Sequence, residues 1–412
     1  MTDIERVAVL GAGNMGHGIT EVVALGGYDV TMRDIETDLI ESGSENIEWS
    51  VGKLAENGIV DDPDDVLARI DTTTDLAEAV GDADLVVEAA PERMALKKEI
   101  YTELDELAPD EAILASNTSS LSITEIASAT DRAAQVVGTH YFNPPVKMDL
   151  VEVIYGERTS DATAETAHDF VVSLGKTPIY VQKDVQGFVV NSVLGPFMVE
   201  PAWMVSNDEA TIREADAAMV HRRGYPMGPF ELADLTGVDI GYSVREEAGI
   251  TNPPLIEEKV EAEELGRKTG KGYYDYENGE TSETSQADGE AVDGDGADYE
   301  AGDGEGFDTL RVEARMVNEA AKLVGMDVAT PEAIDTGMRL GAGFSEGPCR
   351  RADQEGLDTF LEKLETLHEA TGEERFEPAD YLVELVEGGN TGQESGRGFY
   401  EYENGEPVSG GR

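Results

Sequence analysis

The period of the hydrophobic pattern changes along the chain. Over residues 1–185 short apolar runs alternate with longer amphipathic stretches. The runs predict strands over 7–10, 29–32, 85–89, 113–116, 135–139 and 150–154, with helices such as 36–57 and 97–107 between them. That alternation is expected of a parallel sheet with helices on both faces. Around Gly187-Phe188-Val189-Val190-Asn191 the pattern switches, and helical periodicity then dominates to about residue 274. A second, all-α domain is expected there.

The first apolar run leads directly into Gly11-Ala12-Gly13-Asn14-Met15-Gly16, followed by a helical stretch. Strand, glycine turn and helix N-terminus in this order form a pyrophosphate cradle. Gly11 permits the sharp turn, Gly13 lets the backbone approach the phosphates, and Gly16 lets helix and strand pack closely. The helix end supplies N–H groups and the positive end of its dipole. The next strand ends at Arg33-Asp34, with Asp34 18 residues after Gly16. An acid there suits the ribose hydroxyls and repels a 2′-phosphate, which favours NAD over NADP, although Arg33 beside it weakens that preference.

The helical part repeats itself. At an offset of 119 residues Gly187-Phe188 matches Gly306-Phe307, Glu200 matches Glu319, and Asp216 matches Asp335. Ala233-Asp234 likewise matches Ala352-Asp353, and the stretch from Gly224 to Pro229 matches that from Gly343 to Pro348. The ends agree as well, GKGYYDY against GRGFYEY. Between the copies, residues 277–306 carry 11 acids, 7 glycines and no basic residue, a composition expected of a disordered connector. The predicted domains are therefore 1–185, 186–276 and 307–403, joined by the connector 277–306.

Composition narrows the function. The 412 residues suffice for two or three domains with proper cores. A net charge of −57, from 87 acids against 30 bases, repels nucleic acid and anionic membranes. Acids spread so widely suit a protein that works in very high salt, where the Debye length shrinks to about 3 Å. Cys349 is the only cysteine, which excludes an intramolecular disulfide and a thiolate metal centre and fits a reducing cytoplasm. Neither a run of ~18 apolar residues nor a signal peptide is present, so a soluble, cytoplasmic protein is expected.

Among five histidines, His140 stands apart. It closes the apolar run 136–139 and so falls at the carboxyl end of a strand, where doubly wound sheets bind ligands. A histidine there can exchange a proton near neutral pH. Glu152 interrupts the next apolar run, LVEVI. It either faces water from an edge strand or is buried with a partner, for which His140 is the natural choice. Asn117-Thr118-Ser119-Ser120 follows the strand 113–116, and Ser122 or Thr124 can cap the helix beyond it. Asn191 is either a locally satisfied core amide or a polar group aimed into a cleft. The second copy has Leu310 at its place, so the helical fold itself does not need the amide.

These residues lie in motifs of a known family. VLGAGNMGHGI, VVEAAPERMALKKEIY, ASNTSSLSI, GTHYFNPPVKMDLVEVI, GFVVN, GYPMGPFELAD and GRKTGKGYYDY span residues 4–276 in order. The chain resembles the L-3-hydroxyacyl-CoA dehydrogenases. The resemblance implies a doubly wound Rossmann domain followed by two tandem copies of an all-α domain of the 6-phosphogluconate-dehydrogenase type. It implies reversible NAD-dependent oxidation of (S)-3-hydroxyacyl-CoA, as in fatty acid β-oxidation. His140 would be the base and Glu152 its orienting acid, with Ser119 and Asn191 holding the 3-oxygen and thioester region. Gly11, Gly13, Asn14, Met15, Gly16, Asp34, Glu92, Lys97, Asn143 and Lys268 would contact NAD, and Ser50 and Lys53 coenzyme A. The family carries several lysines on the helix after the ribose acid, whereas here Lys53 is the one base in residues 48–57. Rival readings are a 3-hydroxybutyryl-CoA or L-gulonate dehydrogenase and a non-catalytic NAD-binding protein. The helical domain dimerises in this family, so a monomer with an internal pseudo-dimer, or a homodimer, is expected.

Overall fold

A computed structural model describes residues 4–276 and 299–408. Two compact units emerge, one ending at Phe188 and the other beginning at Val189.

The first unit is an eight-stranded sheet: β1 (Arg6–Leu10), β2 (Asp29–Arg33), β3 (Ile70–Thr73), β4 (Leu85–Glu88), β5 (Ile113–Ser116), β6 (Val136–Tyr141), β7 (Leu150–Ile154) and β8 (Thr177–Val181). Between them run α1 (Asn14–Leu25), α2 (Thr37–Glu56), α3 (Pro63–Leu67), α4 (Leu76–Val80), α5 (Met94–Leu107), α6 (Ile123–Ala127) and α7 (Asp161–Ser173). The strand order is 3-2-1-4-5-6-7-8, the dinucleotide-binding order extended by two strands. Central strands are largely apolar because helices cover both faces, with Glu88, His140 and Glu152 as buried polar exceptions. Val7, Val9, Val87, Val137 and Val153 pack with Ile19 and Val23 of α1 and with Phe170 of α7.

Two features depart from the expected sheet. β7 pairs antiparallel with β6, while β8 runs parallel to β7, so the sheet is mixed. The short connection over residues 142–149 explains this, since a parallel crossover needs a dozen residues or more. The strands β3 and β8 escaped the apolar pattern because they are the sheet's edges. Both are half exposed, and β8 carries a proline that only an edge tolerates.

The second unit is helical. It holds α8 (Val190–Ser206), α9 (Ile212–Ala217), α10 (Pro229–Thr236), α11 (Val238–Glu247) and α12 (Pro254–Glu261). After the undescribed stretch come α13 (Thr309–Gly325), α14 (Pro331–Gly341), α15 (Pro348–Glu355), α16 (Leu357–Thr371) and α17 (Asp380–Glu387). Its two halves share one pattern of buried acids. Asp216 accepts the N–H groups of Phe230 and Glu231 at 2.9 and 3.2 Å and the Tyr274 hydroxyl at 2.7 Å. Asp335 accepts those of Cys349, Arg350 and Tyr400 at 2.8, 3.0 and 2.8 Å. Asp234 and Asp353 repeat this with Tyr273, Tyr274 and Tyr276 and with Phe399, Tyr400 and Tyr402. The glycines that recur have a steric reason, because a Cβ on Gly228 or Gly347 would collide with the Asp216 or Asp335 side chain.

The halves meet where α8 lies along α13. Buried Glu200 accepts Arg311 Nε at 2.7 Å, and buried Glu313 accepts Tyr225 Oη at 3.0 Å and pairs with Arg223 at 2.7 Å. The expected connector is more ordered at its end than its composition suggests. Tyr299 donates to Glu231 at 3.0 Å, and Arg222 donates to the Gly304 carbonyl at 2.7 Å. Those contacts fix residues 299–306 on the first half, despite their glycines and acids, while residues 277–298 lie outside the described residues.

Candidate active site

The glycine turn has the geometry its spacing predicts. Gly11 sits at φ +112°, reserved in practice for glycine, and a Cβ on Gly16 would collide with the Gly11 carbonyl. At Gly13 a Cβ would meet nothing within 4 Å, so the backbone there is open to an approaching group. The helix α1 follows Gly13, which has no side chain to cap it, so no capping group takes the N–H groups of its first turn, which begins at Asn14 and Met15. Asp34, just past β2, accepts the Ala12 N–H at 2.8 Å and thereby stands against the turn. Backbone approach, helix end and acid together fit a dinucleotide.

The second constellation comes from strand register. His140 and Glu152 are direct partners across the antiparallel pair β6–β7, so both side chains leave the same face of the sheet. Glu152 has no exposed surface, and β7 lies between β6 and β8 rather than at an edge. Its Oε2 stands 2.6 Å from His140 Nδ1. With Nδ1 engaged, Nε2 is the ring nitrogen left to face a reactant. Phe142 and Phe188 flank the imidazole at centroid distances of 4.5 and 6.0 Å. Phe188 takes a left-handed backbone, φ +50°, which is uncommon outside glycine and is often found beside functional groups.

Ser119 lies beyond β5 in the loop that also holds Asn117, whose Oδ1 accepts the Tyr141 N–H at 2.9 Å. Ser122, not Thr124, caps α6. Glu92 reaches this loop and accepts the Ser119 N–H at 2.9 Å. Lys97 is fully buried, 2.7 Å from Glu88 and 3.6 Å from Glu92, and so faces these acids rather than an open crevice. Glu88 was missed from the sequence, although an acid ending the apolar run LVVE is the signal that marked Glu152. Asn143 is exposed on the loop after β6, and that loop rests on α1, because a Cβ on Gly18 would meet the Pro145 ring at 2.9 Å.

The remaining residues fall elsewhere. Ser50 on α2 donates to buried Glu21 at 2.6 Å, and Lys53 pairs with Glu56 at 3.0 Å. Burial pushes the Glu21 carboxyl up to about 7, against the pull of Ser50 and Lys176. In the helical unit Asn191 is exposed on the first turn of α8, so it is not a core amide. Lys268 is ion-paired with Asp239. Among the described residues no group of three or more His, Cys, Asp or Glu side chains is arranged for a metal, and no helix is long and apolar enough to cross a membrane.

The family model of the 3-hydroxyacyl-CoA dehydrogenase NAD-binding domain matches residues 6–185. That of the C-terminal domain matches twice, over 187–276 and 306–402. The chain belongs to the 3-hydroxyacyl-CoA dehydrogenase family. A probable 3-hydroxybutyryl-CoA dehydrogenase of Deinococcus radiodurans is 41% identical over 279 residues, 66% of this chain and all of that one. The mitochondrial hydroxyacyl-coenzyme A dehydrogenase of Rattus norvegicus is 39% identical over 288 residues, 66% of this chain and 91% of the relative. Both therefore match about the length of one Rossmann and one helical domain. A solved 3-hydroxybutyryl-CoA dehydrogenase of Escherichia coli K12 covers 94% of this chain and 99% of its own, at 28% identity and a TM-score of 0.82. As a dehydrogenase of this family the chain is an oxidoreductase whose first domain binds NAD.

Proposed function

We propose that this chain catalyses the reversible oxidation of (S)-3-hydroxyacyl-CoA to 3-oxoacyl-CoA with NAD. The observation that carries the reading is the buried His140–Glu152 pair at the carboxyl end of β6, in the sheet whose glycine turn fits the dinucleotide. Bound NAD would supply the hydride acceptor, held by the turn from Gly11 to Gly16 and by Asp34 at the ribose. His140 Nε2 takes the proton of the substrate's 3-hydroxyl in oxidation and returns it in reduction. Glu152 keeps the ring in the tautomer that leaves Nε2 free to act, and it stabilises the imidazolium that forms. Ser119 and Asn191 hold the 3-oxygen and thioester region, and Asn143 and Lys268 serve the cofactor. Coenzyme A lies along α2, near Ser50 and Lys53, with fewer basic contacts than the family supplies.

Two relatives carry the name 3-hydroxybutyryl-CoA dehydrogenase, one of them as probable, which favours a short acyl chain as the second reading. The second helical copy, 307–403, takes the place of a partner subunit. The ion pairs of Glu200 with Arg311 and of Glu313 with Arg223 support that assignment, since each joins one half to the other.

The test is NADH oxidation with acetoacetyl-CoA in molar potassium chloride, repeated with free acetoacetate, with NADPH and with longer 3-oxoacyl esters. Turnover restricted to NADH and the coenzyme A esters is expected. Tight NADH binding without turnover of any ester would overturn the reading.

A further inference from the structure

The serine that α2 turns toward α1 has its one proton engaged inside the protein. Ser50 Oγ donates to Glu21 Oε1 at 2.6 Å, with Glu21 buried and Ser50 half-buried. Lys176, just before β8, attracts the same carboxylate and itself donates to the carbonyls of Val146 and Met148 at 3.3 and 2.9 Å. Those carbonyls belong to the loop that rests on α1, where Pro145 packs against Gly18. The packing of α1, α2 and that loop therefore fixes Glu21, and Glu21 fixes Ser50. Burial pushes the Glu21 carboxyl up to about 7, so at about pH 8 it is a carboxylate, which accepts hydrogen bonds and cannot donate them. A hydroxyl has one donor and two lone pairs. With its proton on Glu21, Ser50 keeps only lone pairs for a ligand.

We propose that Ser50 meets coenzyme A as an acceptor, taking an N–H or O–H of its pantetheine arm or nucleoside, and that Glu21 is the positioning residue that imposes this polarity. The proposal rests on the reading that coenzyme A lies along α2. Ionised phosphates offer acceptors alone, so a serine whose proton is already given away has nothing for them. The surroundings agree. The helix α2 carries Asp38, Glu41, Glu45, Glu48 and Glu56 against Lys53, and Lys53 is paired with Glu56 at 3.0 Å. A carboxylate directly behind the Ser50 hydroxyl adds to that negative field. A hydrogen bond from a neutral donor also escapes the screening that weakens phosphate contacts in molar salt.

The experiment measures kcat and KM at about pH 8 in molar potassium chloride for wild type, Ser50→Ala, Glu21→Leu, Glu21→Gln and the Glu21→Leu/Ser50→Ala double variant. The substrates are the acetoacetyl esters of coenzyme A, of 3′-dephospho-coenzyme A and of pantetheine. Ser50→Ala and Glu21→Leu should each raise KM for the coenzyme A ester about fivefold, the usual worth of one neutral hydrogen bond, with kcat within about twofold. Glu21→Gln keeps an oxygen for the Ser50 proton, so its KM should stay within about twofold of wild type. In the Ser50→Ala background Glu21→Leu should add little, which a merely structural role would not produce. Removing the 3′-phosphate should leave the Ser50→Ala effect intact. With the pantetheine ester that effect persists if the donor lies on the pantetheine arm and vanishes if it lies on the nucleoside. A serine serving a phosphate would behave oppositely, because Glu21→Leu would free its proton, remove a negative charge and lower KM. A lower or unchanged KM in Glu21→Leu therefore overturns the proposal, as does a Ser50→Ala effect that disappears with the 3′-phosphate. If Glu21→Leu does not fold, Ser50→Ala alone still decides, since an unchanged KM in that variant overturns the proposal as well. Wild type inactive with every ester sinks the functional reading instead, and is told apart because each variant is compared with wild type.

Discussion

A lysine without exposed surface must have its charge matched, and Lys97 is matched by two acids. Removing one member of such a buried pair typically destabilises by about 3–5 kcal/mol, because the remaining charge is left uncompensated. Lys97→Met should therefore lower stability by about that amount in a urea titration; a loss below about 1 kcal/mol would show that Glu88 finds another partner. At this scale the sequence was informative where one side chain contradicted its surroundings. Glu152 in LVEVI needed a partner if it was buried rather than at an edge, and His140, ending the neighbouring run, was the natural candidate. Glu88 in LVVE broke the same rule but has its partner on the following helix, nine residues on, so no facing strand pointed to it. The Ser50 bond to Glu21 was hidden for a related reason, as it joins two helices whose packing no local pattern encodes.

Buried carboxylates organise both halves of the helical unit, alongside the arginines that join them. Asp216 is pushed up to about 7 and Asp335 and Asp353 to about 6, in each case by burial, with the N–H and tyrosine donors pulling the other way. An aspartate in the unfolded chain ionises near pH 4. The stability these groups give is thus complete below about pH 4 and is lost as pH rises through 6 to 7. The carboxyls held low, Glu92, Asp105 and Glu264, contribute stability that is fully present above about pH 4.5 and is lost only as pH falls below it, so they leave that window untouched. The urea midpoint in molar potassium chloride should fall between pH 5.5 and pH 8, and a constant midpoint would contradict this. The repeat of Asp216 by Asp335 and of Gly228 by Gly347 was visible in the sequence because steric contact admits no substitute there. The edge strands β3 and β8 were not, since a half-exposed strand needs no continuous apolar run.

For the whole molecule, the net charge of −57 is the dominant physical fact. At low salt such self-repulsion acts across the molecule, whereas at 1 M it is screened within about 3 Å. Light scattering across a potassium chloride series is expected to give the mass of one chain at molar salt, with the melting temperature dropping as salt is withdrawn. The single-chain mass is what the proposed substitution of the second helical half for a partner subunit predicts, and the packing of α13 along α8, with Arg311 paired to Glu200, supports it. A mass of two chains at every salt concentration would contradict the substitution of that copy for a partner subunit. The parallel part of the sheet and the all-α half followed from hydrophobic period alone. The antiparallel turn at β7 did not, because it depends on the length of one connection rather than on the strands themselves.

The most direct test of the account is His140→Ala, measured beside wild type with acetoacetyl-CoA and NADH. Loss of the proton acceptor should lower kcat by about 100-fold or more, while NADH affinity, which the proposed site assigns to the glycine turn and Asp34, should stay near the wild-type value. Near-full turnover by His140→Ala would contradict the assignment of the base and, with it, the mechanism built on the His140–Glu152 pair.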